Sequence, residues 1–138
     1  MTRFFGRYEH SLDVKGRIIL PAKFRPFFER GGYLTQYYNR CLALWTPEKF
    51  EEQMLAREAA QDVSAEERNL ARLWSSGTQE VEVDKQGRIA IPPHLRVFAH
   101  LEGEVLVHGA INRLELWNPE LWSEKVEPAE RDLTLEMS

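Results

Sequence analysis

The chain repeats itself. Asp13-Val-Lys-Gly-Arg-Ile-Ile-Leu-Pro21 returns as Asp84-Lys-Gln-Gly-Arg-Ile-Ala-Ile-Pro92, displaced by 71 residues. Asp13, Gly16, Arg17, Ile18, Pro21 and Arg25 fall on Asp84, Gly87, Arg88, Ile89, Pro92 and Arg96. A second block follows in the same order: Leu42-Ala-Leu-Trp-Thr-Pro-Glu48 matches Leu114-Glu-Leu-Trp-Asn-Pro-Glu120, displaced by 72. Two matched blocks in one order indicate duplication, so the fold must accommodate two like halves. With 138 residues those halves share one ordinary domain or form two small units around one core.

Each half reads physically in the same way. Asp13 and Gly16 suit the first and fourth places of a type I turn, with Gly16 closing a G1 bulge. Asp84 and Gly87 do likewise. The flanks predict a hairpin of Tyr8–Leu12 with Arg17–Leu20, and another of Gln79–Val83 with Arg88–Ile91. Pro21 and Pro92 end the second strands and open short helices, about Ala22–Glu29 and Pro93–His100, the first disturbed by Pro26. A second hairpin closes each half: Tyr33–Tyr38 with Cys41–Trp45, and Glu104–His108 with Arg113–Trp117. Thr46 and Asn118 are matched N-caps, each followed by proline and an acid.

Between the halves lies a helical connector. One helix runs from Pro47 to about Glu58. A second opens at the capping box Ser64-Ala-Glu-Glu67 and carries Leu70, Leu73 and Trp74 on one face. This divides the chain into a first repeat at 1–46, a connector at 47–77, a second repeat with its terminal helix at 78–126, and an acidic, frayed tail at 127–138. The two repeats are expected to form one structural unit.

Charge is segregated. The overall net charge of −4 argues against a nucleic-acid partner. Yet Asp13–Arg25 carries four cations and one anion, and Asp84–Arg96 three and one. The connector and the C-terminal segment are acidic. Bases near a turn are ordinarily solvated surface. Here two like turns place arginine at the same position, one after the glycine, with Lys15 and Lys85 beside them. A two-stranded ribbon fits the major groove, and arginine to guanine is the commonest specific base contact. Asp13 and Asp84 read as turn-formers or arginine braces rather than catalytic acids.

Other classes are disfavoured. Cys41 is the lone cysteine, so an internal disulfide and a four-cysteine zinc site are ruled out; it reads as a buried thiol. His10, His94, His100 and His108 show no metal-ligand spacing. No apolar run approaches a membrane span and no secretory leader is evident, so an intracellular protein without a membrane partner is expected. No phosphate loop, dinucleotide fingerprint or nucleophile motif occurs. The expectation is a non-enzyme with no cofactor and no small-molecule substrate.

The doubled D-x-K-G-R-I-x-x-P element resembles the AbrB-type swapped-hairpin DNA-binding module. Two copies joined by a helical connector resemble the MraZ family of bacterial transcriptional regulators. The resemblance covers about Phe4 to Trp122 and includes Phe4, Gly6, Tyr8, His10 and Leu12 as well as both Leu-x-Leu-Trp segments. It implies an α+β fold: a β-barrel of two pseudo-symmetric ββαββ repeats within one chain, with a helical connector and a C-terminal helix. It also implies ring-shaped homo-oligomers that bind double-stranded DNA at repeated sites in the promoter of the division and cell-wall gene cluster, in the cytoplasm and associated with the nucleoid. The family's DNA contacts fall on Arg17 and Arg88, with Lys15 as the neighbouring base. Lys85 sits one residue earlier than the pattern. The alternative is an oligomeric interaction protein, with Trp45, Trp74, Trp117 and Trp122 serving assembly, or an antitoxin-like use of the module; two modules in one chain argue against the latter.

Overall fold

A computed structural model describes residues 2–137; Met1 and Ser138, which bound the first and last predicted segments, lie outside the described residues. The strands are β1 (Arg7–Ser11), β2 (Arg17–Ile19), β3 (Gly32–Gln36), β4 (Leu42–Trp45), β5 (Gln79–Val81), β6 (Arg88–Ala90), β7 (Glu104–Gly109) and β8 (Leu114–Trp117). The helices are α1 (Pro47–Ala60), α2 (Ala65–Gly77), α3 (Pro93–Ala99), α4 (Pro119–Lys125) and α5 (Glu127–Met137).

Six strands form one antiparallel sheet in the order β1-β7-β8-β4-β3-β5. The remaining two, β2 and β6, form a separate antiparallel ribbon. The order reads as a palindrome of the two repeats. The first strand of each repeat pairs with the third of the other, β1 with β7 and β5 with β3. The fourth strands, β4 and β8, meet in the centre. The repeats therefore exchange strands within one chain.

Two expectations are corrected here. The segments flanking each Asp–Gly turn do not pair with each other. The turn reverses the chain, but β1 joins the six-stranded sheet while β2 joins the ribbon. The sheet is also open, ending at β1 and β5, so the expected closed barrel is replaced by a sheet and a ribbon. The hairpins of β3 with β4 and β7 with β8 form as read.

The ribbon and the sheet enclose the main core. Ile18 lies directly opposite Ile89, and both are buried with Leu20, Ile91, Phe4, Leu34, Leu44 and Leu116. Each such side chain contributes roughly 1.5–3 kcal/mol by leaving water. The opposite sheet face is covered by helices. Phe50 of α1 stacks on Tyr33 of β3 at 3.9 Å, and Trp74 of α2 stacks on Phe50 at 5.2 Å. Over β7 and β8, Trp122 of α4 meets Trp117 edge-on at 5.4 Å.

The caps explain where these helices begin. The Thr46 hydroxyl accepts from the Lys49 amide, Ser64 from Glu67, and the Asn118 side chain from Glu120 and Leu121. Pro26 holds the first short helix to a 3-10 turn at Arg25–Phe28, whereas α3 is a regular helix. The segment expected to be a frayed tail is helical as α5, with Pro128 and the acids Glu127 and Glu130 in its first turn. Among the described residues no helix is long and apolar enough to cross a membrane.

Candidate nucleic-acid interface

The site is built by two five-residue turns, Asp13–Arg17 and Asp84–Arg88, that share one bonding scheme. The Gly16 amide donates to the Asp13 carbonyl at 3.0 Å, and the Gly87 amide to the Asp84 carbonyl at 2.9 Å. Both glycines have positive φ, +75° and +83°, which side-chain-bearing residues rarely adopt. The Asp13 carboxylate accepts from the Lys15 and Arg17 amides at 2.9 Å each. The Asp84 carboxylate accepts from the Gln86 and Arg88 amides, also at 2.9 Å.

Each aspartate also holds its arginine. Arg17 Nε donates to Asp13 Oδ2 at 2.7 Å, and Arg88 Nε to Asp84 Oδ2 at 2.8 Å. Backbone amide bonds, above all from Arg17 and Arg88, keep both carboxyl groups below the usual carboxylate range. Each aspartate thus closes its turn and braces its arginine. The arginines are held by their Nε edges, with about 30 % and 27 % of the side chain exposed. A guanidinium reads guanine through two parallel N–H groups, and an Nε brace leaves the Nη pair outside that bond.

The register puts both arginines on one face. Ile18 and Ile89 point inward, so the alternation sends Arg17, Ile19, Arg88 and Ala90 outward. Arg17 faces Ala90 and Arg88 faces Ile19, which makes the arginines diagonal neighbours. Arg88 Nη1 lies 4.0 Å from Asp13 Oδ2, linking the two repeats across the ribbon. Lys15 and Lys85 are exposed at the turn tips.

Two residues that sequence reasoning aligned but gave no role complete the face. Arg25 Nε donates to the Leu20 carbonyl at 2.8 Å, and Arg96 Nε to the Ile91 carbonyl at 3.0 Å. Their recurrence at the same distance beyond the turn is the signal that could have singled them out. With Lys15, Arg17, Lys85 and Arg88 they make six cations against Asp13 and Asp84.

A family model described as "MraZ protein, putative antitoxin-like" matches residues 4–73 and again 75–135. The chain belongs to the MraZ family. Its two matched segments correspond to the two repeats, each extending from before its basic turn into its helix pair. The MraZ assignment supports a regulator-type, AbrB-like protein.

Proposed function

We propose that this protein is a sequence-specific transcriptional regulator that binds double-stranded DNA and catalyses nothing. The observation that carries the reading is the ribbon face, on which two braced arginines stand diagonally within a cluster of six cations. The DNA-binding set is Arg17, Arg88, Lys15 and Lys85. Asp13, Gly16, Asp84 and Gly87 form the turns that present it. The two repeats act as one unit, and the acidic connector and C-terminal segment lie outside it.

The finer reading follows the family. A ring-shaped homo-oligomer repeats the ribbon face and binds tandem sites in the promoter of the division and cell-wall gene cluster, the protein's own promoter included. It works in the cytoplasm, associated with the nucleoid. Linking weak sites raises overall affinity by about 10²–10⁴. That gain lets a chain of net charge −4 bind through few bases per copy. Footprinting of the purified protein on the DNA upstream of its own gene tests this directly. Protection of evenly spaced repeats that fades as salt rises is the expected result. Uniform coverage, or no protection at low salt, would overturn it. Light scattering reports the oligomer.

A further inference from the structure

We infer that Arg25 and Arg96 are positioning residues that act across the repeats, each fixing the basic turn of the other half. Arg25, in the first repeat, sets the turn that presents Arg88. Arg96, in the second, sets the turn that presents Arg17. This rests on the DNA-binding reading for its consequence, but its geometry stands independently.

Three contacts close each clamp. The Leu20 amide donates to the Gly87 carbonyl at 2.8 Å. The Leu20 carbonyl accepts from Arg25 Nε at 2.8 Å. The Arg25 guanidinium then lies over Gly87, where an added Cβ would meet its Cζ and Nε at 2.4 Å. The second clamp repeats the first. The Ile91 amide donates to the Gly16 carbonyl at 2.9 Å, Ile91 accepts from Arg96 Nε at 3.0 Å, and a Cβ on Gly16 would meet Arg96 Cζ at 2.7 Å.

The turn glycines are therefore required twice, for positive φ and for the space a guanidinium plane occupies. Each arginine sits on a ribbon strand's own C-terminal side yet touches the opposite turn. A side chain whose Nε is tied to backbone and whose plane is packed on a glycine has little freedom left. That rigidity passes to the turn beneath it, and so to the braced arginine one residue on. Pre-organising a reading group in this way strengthens binding by reducing what must be ordered on contact.

A double-mutant cycle on DNA affinity separates positioning from direct contact. Arg25→Ala is expected to weaken binding roughly tenfold in the parent and again in an Arg17→Ala background. In an Arg88→Ala background it should cost less than about twofold, because the residue it positions is already gone. Equal losses in both backgrounds would make Arg25 an independent DNA contact and overturn the clamp. Arg25→Lys, which keeps the charge but not the planar group, should behave like Arg25→Ala.

The DNA-free protein supplies a second readout. In amide NMR spectra Arg25→Ala should shift the Gly87 resonance more than that of Gly16, and Arg96→Ala the reverse. Shifts confined to the variant's own repeat would sink the inference even if DNA binding is lost. A parent protein that binds no duplex, combined with the crossed shift pattern, would refute the function and leave the clamp standing.

Discussion

The ribbon end and the sheet end of the molecule treat the duplication differently. At the ribbon, both repeats use the same aspartate brace, the same positive-φ glycine and the same crossed arginine. At the sheet, matched tryptophans are satisfied by different chemistry. Trp45 Nε1 donates to the Thr35 hydroxyl at 2.9 Å. Trp117 Nε1 donates to Glu115 Oε1 at 2.9 Å, and Ala43 stands directly opposite that glutamate. The same Glu115 accepts from His108 Nε2 at 2.8 Å and from Arg113 Nη2 at 2.7 Å, with only 8 % of its side chain exposed. The difference teaches where two-fold likeness is needed. On the proposed function a duplex would present like features to both turns, whereas a buried indole needs only an acceptor.

Removing the acceptors should break the comparison most sharply. Glu115→Ala removes the acceptor shared by Arg113, His108 and the Trp117 indole, and should cost about 3–5 kcal/mol in urea unfolding. Thr35→Ala, which strands one indole, should cost about 1–2 kcal/mol. Equal losses would mean that the charged network adds nothing.

Acid provides the next test. Burial pushes the Glu115 carboxyl up, but hydrogen bonds from His108 and Trp117 and the Arg113 charge outweigh it and hold it at about 2, against an ordinary 4.5. Its folded value lies below its unfolded one. The stabilisation, roughly 3 kcal/mol, is therefore complete above pH 4.5 and drains away as pH falls toward 2. Stability measured across that range should fall less steeply in Glu115→Gln than in the parent. Asp13 and Asp84, also lowered, bend the curve in the same direction.

At the ribbon the expected effects are on DNA affinity. Arg17→Ala and Arg88→Ala should each weaken binding by about 1–3 kcal/mol in a gel-shift titration, with thermal midpoints close to the parent's. If only one of them matters, the two-fold reading of that end fails. The smallest effect concerns the tips, where Val14 is fully exposed and its counterpart is Lys85. Val14→Lys should steepen the salt dependence of binding by about one charge, leaving sequence preference unchanged.

Local features of the fold were legible in the sequence. Asp–x–x–Gly turns, N-caps at Thr46, Ser64 and Asn118, and the third and fourth strands of each repeat depend on neighbours within a few residues. Strand partnership does not. The turn at Asp13–Gly16 specifies a reversal, and nothing nearby specifies that Tyr8 lies against Val107. Glu115 was equally silent, because an acid between Leu114 and Leu116 reads as the wet face of a strand until α4 covers it. An acidic terminal segment reads as frayed on composition, and Pro128 in the first turn of α5 is the local signal for the helix. At the site, the braced arginines followed from the repeat alone, while the crossed role of Arg25 and Arg96 needed the third dimension.

The exchange of first strands has a consequence for synthesis. Arg7–Ser11 leaves the ribosome early, but its hydrogen-bonding partner is Glu104–Gly109. At about 5–20 residues per second, the N-terminal strand waits on the order of 5–20 s for the segment that completes it. During that interval β5 can already close the edge of β3, so the N-terminal strand is the last of the first repeat to find its partner.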